Sequence, residues 1–117
     1  MQKLEAAGVI TGRVAQVAPE KIGLGLTVFV EIEAADHTQD WRDAFAAHVA
    51  GLPEVVEVHR MAGDVDYLLK VLVPDMAAFD AFYLRLTRSL HCRNVTSKFS
   101  MERMKATNLL PIDTVSV

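Results

Sequence analysis

Cysteine is all but absent from this sequence. Cys92 stands alone among 117 residues, so no intramolecular disulfide can form and a secreted scaffold stapled by disulfides is excluded. A buried, inert thiol is the expectation for it. Long hydrophobic runs are missing as well. The longest, such as residues 67 to 74, are broken by Lys70 or Pro74 and fall short of the roughly 20 residues a spanning helix needs. The N-terminus carries Lys3 and Glu5 and no apolar targeting stretch, so a cytoplasmic location with no membrane partner is expected. Nor is there an excess of one charge, and a net charge of −3 argues against a polybasic nucleic-acid surface on this chain.

Chemical motifs are equally sparse. His37, His48, His59 and His91 share no i, i+3 or i, i+4 spacing and have no Cys beside them, so neither a metal nor a cofactor is expected. His48 reads instead as a half-buried, hydrogen-bonded side chain. Gly23-Leu24-Gly25-Leu26 begins like a dinucleotide fingerprint. Val28 stands where its third glycine belongs, however, and the segment precedes a strand instead of following one. No serine has a positioned base, and no lysine has an apolar setting. Asp64 and Asp66 would serve as an acid/base pair only in a cleft that separates their pKa values.

What the sequence does have is apolar residues in quantity: 51% are hydrophobic and the mean hydropathy is +0.22. One domain with a sizeable core fits this length, and the surplus implies apolar surface covered by another subunit. Nine of the fifteen acids lie between Glu31 and Asp66 and six of the twelve bases between Arg85 and Lys105. Self-association could use that asymmetry, although a solvated face is the commoner explanation.

The chain is organised around Gly63-Asp64-Val65-Asp66-Tyr67-Leu68-Leu69, an acidic turn running into a strand. Strands over 55 to 61 and 67 to 73 flank it, so the turn closes a hairpin in which Gly63 takes φ > 0 and the aspartates bond locally. Upstream, Leu26, Val28, Val30 and Ile32 alternate with Thr27, Phe29, Glu31 and Glu33, a strand over 24 to 33. Trp41, Phe45, Val49 and Leu52 make one stripe of a helix over 36 to 52, with an Asp or Thr as its N-cap. Asp75 caps a second helix carrying Met76, Phe79, Phe82, Tyr83, Leu86 and Leu90 on its apolar face. Residues 94 to 105 alternate again, with Val95, Ser97, Phe99 and Met101 on one side. At the front, residues 1 to 8 read as the last turns of a helix and Val9 to Val17 as a short strand or linker.

The order is β-α-β-β-α-β, an α+β ferredoxin-like sandwich with two helices on one face of an antiparallel sheet. Phe29, Leu68 and Leu72 lie opposite Val28, Val30, Leu69 and Val71, so both faces of the sheet hold apolar residues. Dimerisation through the face without helices follows.

Five stretches in order carry a family resemblance: Leu4-Glu-Ala-Ala-Gly-Val-Ile-Thr-Gly12, Pro19-Glu-Lys-Ile-Gly-Leu-Gly-Leu26, Gly63-Asp-Val-Asp-Tyr-Leu-Leu69, Val73-Pro-Asp-Met76, and Thr96-Ser-Lys-Phe-Ser-Met101 with Lys105 and Leu110-Pro-Ile112. The sequence resembles the effector-binding and oligomerisation domain of the Lrp/AsnC family of prokaryotic transcription regulators. The resemblance implies a dimeric α+β barrel, further assembly into rings of four dimers, and an amino-acid effector bound between dimers. Carried over by position, effector contacts fall on Gly63, Asp64, Asp66 and Tyr67 of the acidic turn, with Asp64 or Asp66 holding the effector's ammonium group. They also fall on Met76 and on Ser97, Lys98, Phe99 and Ser100. No catalytic role is implied.

The resemblance divides the chain into residues 1–18, the end of a helix-turn-helix domain with its linker strand, and residues 19–117, the ligand-binding and oligomerisation domain. DNA contact is expected only through a helix-turn-helix largely absent from this sequence. Two other readings stay open. One is a small ferredoxin-like dimeric enzyme of the monooxygenase or haem-precursor decarboxylase type, with His59, Arg60 or His91 pointing into a large cavity. The other is a stand-alone oligomerisation module.

Overall fold

The computed structural model describes residues 23–88 and 90–111. Six elements follow in order: β1 (Leu26–Ala34), α1 (Gln39–Ala50), β2 (Val55–Arg60), β3 (Tyr67–Val73), α2 (Met76–Arg88) and β4 (Cys92–Phe99). All pairings are antiparallel, and the sheet order is β2-β3-β1-β4. This is the expected βαββαβ ferredoxin-like arrangement. The segments expected over residues 1 to 18 lie outside the described residues.

Alternation in β1 and β3 sets the core. Val28 pairs with Val71 and Val30 with Leu69, and these four side chains, with Ile32 and Val73, are fully buried on one face. Trp41, Phe45 and Val49 of α1 and Phe79, Phe82 and Leu86 of α2 are buried with them in one core. Each helix starts on a side-chain cap. Thr38 Oγ1 accepts from the Trp41 amide at 3.2 Å, and Asp36 Oδ1 accepts in turn from the Thr38 amide and hydroxyl. Asp75 Oδ1 accepts from the Ala78 amide at 2.9 Å. Residues 36 to 38 are thus cap and approach, and α1 itself begins at Gln39. His48 is half-buried and hydrogen-bonded, as expected: its Nε2 lies 3.0 Å from the carbonyls of Arg85 and Leu86, tethering α1 to the end of α2. Arg85 also forms an ion pair with Glu54, just before β2.

The other face of the sheet has no helix over it. Phe29, Leu68 and Leu72 lie there half-buried, among the ion pairs Lys98 with Glu31 at 2.9 Å and Lys70 with Glu57 at 3.8 Å.

Two expectations need correction. The last strand was expected over 94 to 105 but runs over Cys92–Phe99; its neighbour among the described residues, β1, begins at Leu26. The final pair is Val28 with Phe99, and the Ser100 amide closes the ladder on the Thr27 carbonyl at 2.9 Å. Beyond that point 102–111 carry no regular secondary structure. Met76, expected on the core stripe of α2, is its first residue and half exposed; the core begins one turn later at Phe79.

Candidate functional site

The acidic turn is closed by its backbone and then tied to the neighbouring strand. Met61 N–H donates to the Asp66 carbonyl at 2.8 Å, and Gly63 sits at φ +128°, the positive region that glycine tolerates. Asp66 N–H donates to the Ile32 carbonyl at 2.9 Å, and its Oδ2 accepts from the Ala34 amide at 2.8 Å. The Asp66 side chain therefore extends the β1–β3 ladder past its last pair, Ile32 with Tyr67. Among the described residues, its other oxygen, Oδ1, takes no hydrogen bond. Asp64 is exposed at the tip.

Beside Asp66 lies a small pocket of about 110 Å³. Two carboxylates, Asp36 and Asp66, two guanidinium groups, Arg42 and Arg60, and two aromatic rings, Trp41 and Tyr67, line it. Hydrogen bonds from the Thr38 hydroxyl and amide hold the Asp36 carboxyl below its ordinary value of 3.8, so it is ionised at neutral pH. Arg42 is positioned from α1 by hydrogen bonds to the His37 carbonyl at 3.0 Å and to Gln39 Oε1 at 2.9 Å. Arg60, the last residue of β2, is exposed and forms no ion pair among the described residues. Trp41 is held by its Nε1–H donating to the His91 carbonyl at 2.7 Å, and its ring stacks on Phe45 and Tyr67.

A larger groove of about 730 Å³ lies between α1 and the edge strand β2. Phe45, Ala46 and Val49 form one wall and Val55 and Val58 the other; Arg42, Arg60 and Tyr67 line both this groove and the small pocket.

The nine expected effector residues do not converge in one chain. Gly63, Asp64, Asp66 and Tyr67 lie at the end of the sheet where β1 finishes. Met76, Phe99 and Ser100 lie at the opposite end, where Phe99 packs edge-on against Phe79 at 5.2 Å. Seven-residue β3 separates the two ends, about 20 Å at ~3.4 Å per residue. Ser97 lies opposite Val30 on the helix-covered face, and Lys98 is paired with Glu31 on the uncovered one. Asp36, Trp41 and Arg42 were not singled out as ligand contacts, and Arg60 only for an enzyme. They come from a loop, a helix and a distant strand, and no linear spacing marks them.

The enzyme reading finds no converging set. His59 pairs across from Leu68 on the uncovered face, bonded to Glu57 at 2.9 Å, whereas Arg60 pairs across from Tyr67 on the other face. His91 contributes its carbonyl to Trp41. Among the described residues, no three His, Cys, Asp or Glu side chains are grouped to hold a metal, and no helix is long and apolar enough to cross a membrane.

The fold is a ferredoxin-like α+β sheet with a small, mixed-charge pocket at one end. The sequence profile of the Lrp/AsnC ligand binding domain matches residues 27–110, and this chain belongs to the Lrp/AsnC family. It is 47% identical over 113 residues to the glutamate uptake regulatory protein of Zymomonas mobilis, covering 97% of this chain and 69% of that one. It is 46% identical over 114 residues to the DNA-binding transcriptional activator DecR of Escherichia coli, covering 97% and 75%. Among solved structures, an AsnC family transcriptional regulator from Agrobacterium tumefaciens superposes with a TM-score of 0.80 at 49% identity, covering 96% of this chain and 73% of that one. A Neisseria meningitidis transcriptional regulator in complex with L-methionine gives a TM-score of 0.78 at 35% identity, covering 95% and 72%. The relatives are thus named as regulators, and the family model that this chain matches is a ligand-binding domain.

Proposed function

We propose that this chain is the non-enzymatic sensing and assembly part of a cytoplasmic Lrp/AsnC-type transcription regulator, and that its effector is an α-amino acid bound beside the acidic turn. The observation that carries this reading is the pairing of charges in the small pocket. An α-amino acid carries an ammonium and a carboxylate two bonds apart, so its site needs an anionic acceptor and a cationic donor in one small space. Asp66 and Asp36 provide the first, and Arg60 with Arg42 the second. The methionine bound by the Neisseria relative supports an effector of this class.

Residues 1–18 are read as helix-turn-helix end and linker, and residues 19–117 as the ligand-binding domain. The uncovered face, with Phe29, Leu68 and Leu72, is the surface through which two copies pair, and dimers assemble further into rings of four. Assembly also gives the split of effector residues a purpose. The acidic turn of one copy meets the end of another that carries Met76, Phe99 and Ser100, with Ser97 and Lys98 between them, so the complete site lies between copies. An effector that binds one dimer-dimer geometry more tightly than another shifts the population of assemblies. In the full regulator this repositions helix-turn-helix domains, through which all DNA contact is made.

The test is a thermal-unfolding screen of the protein against the common amino acids at millimolar concentration, with sedimentation of any that act. A ligand at ~100 times its dissociation constant adds about 2.7 kcal/mol, several degrees of midpoint in a domain this size. A selective shift, accompanied by a change in assembly, is expected. Asp66→Asn keeps an acceptor for the Ala34 amide and removes the charge, so it should fold and lose the shift. No shift with any amino acid would overturn the reading.

A further inference from the structure

We propose that the outer edge of β2 docks the same edge of a second copy, the two strands running antiparallel about a two-fold axis at Val58, so that two sheets join into one. This rests on the assembly part of the reading above and not on the effector. No described strand continues the sheet beyond β2. Edge strands that stay single are commonly blunted by lysine, proline or a bulge. β2 has neither lysine nor proline, and its bulge lies at the start, between Val55 and Glu57. The Leu72 amide donates toward β2, to the Glu54 carbonyl at 3.0 Å, and backbone direction alternates along a strand, so Lys70 and Leu68 face β2 as well. Their partners Glu57 and His59 therefore face β3, which leaves the N–H and C=O of Val58 and Arg60 pointing outward.

Charge selects the occupant and its register. Only outward-pointing residues can exchange bonds across the seam, so three registers overlap most of the strand, with Glu57, Val58 or His59 on the axis. Glu57 on the axis sets two carboxylates against each other, and His59 on the axis sets two imidazoles together. Val58 on the axis places each Glu57 opposite the second copy's His59, an acceptor against a donor. Within the chain, His59 and then Lys70 already hold the Glu57 carboxyl below its ordinary value of 4.5, so it presents a charge to the seam. The same register brings the two Val58 side chains together, each 45% exposed in the single chain and lining the groove beside α1. The second α1 then arrives across that groove of about 730 Å³, where Ala46 and Ala50 are exposed and small enough to admit it.

Oxidative cross-linking of single-cysteine variants tests this, with the parent protein as control for Cys92. Residues on the axis sit about 5.5 Å apart between Cα atoms, within reach of a disulfide, so Val58→Cys should link two copies. Glu57→Cys and His59→Cys lie roughly 8 Å from their own mates in this register, too far to link. Val58→Pro removes the outward N–H and keeps the bonds to β3, as an edge position allows, and should assemble at least tenfold less readily in sedimentation. Linking through Glu57→Cys or His59→Cys but not Val58→Cys would overturn the seam and leave the assembly reading standing. So would no linking at all, or unchanged association of Val58→Pro, in a protein that still assembles. A protein monomeric at every concentration would overturn both.

Discussion

The two faces of the sheet are made from the same strands and are used in opposite ways. On the covered face, β1 and β3 contribute six side chains with no exposure at all, packed on two helices. On the other, the alternate residues of the same strands mix Phe29, Leu68 and Leu72 with Glu31, Lys70 and their partners. One face has already found its partner within the chain, so the side chains that β1 and β3 bury there are apolar. The other keeps ion pairs beside its apolar residues, the composition expected of the surface proposed to pair with a second copy.

Substitutions should separate the faces. The largest effect is expected from Phe82→Ala, at a fully buried position, which should cost about 3–5 kcal/mol in urea unfolding. Phe29→Ala on the uncovered face should act mainly on association. Sedimentation should show smaller species at concentrations where the parent is assembled, and an unchanged distribution would erase the proposed distinction. Glu54→Gln, at the rim of the covered side, should cost about 1 kcal/mol. The Arg85 guanidinium lowers the Glu54 carboxyl from its ordinary value of 4.5, so the pair's contribution is present above that value. It is lost as pH falls through the lower, folded-state value, and the difference between parent and variant should disappear on acidification. Smallest is Lys98→Ala, whose exposed pair with Glu31 should contribute under ~0.5 kcal/mol to unfolding of the single chain. A much larger loss in the assembled protein would show that this pair becomes buried there.

The core was legible because period-two alternation and helical stripes are local signals. Val28, Val30 and Ile32 declare their face of β1, and Trp41, Phe45 and Val49 theirs on α1. The end of β4 was not, since its pairing partner, Leu26–Ala34, lies some sixty residues upstream. Of the candidate site, the turn could be read from Gly63 and its aspartates. The clasp from Asp66 to the Ala34 amide could not, because it joins residues 32 apart in sequence, one on the turn and one at the end of β1. Asp36 was visible only as one choice of cap, and Arg42 as a residue on a polar helix face. Only folding brings them beside Arg60.

Trp41 is the sole tryptophan of the sequence, and it lines the small pocket with its indole nitrogen fixed to the His91 carbonyl. The protein therefore carries a built-in optical reporter at the candidate site. A ligand that changes the polarity around that ring, or loosens its hold on His91, would alter the colour or intensity of its emission, so occupancy could be followed in real time without any label.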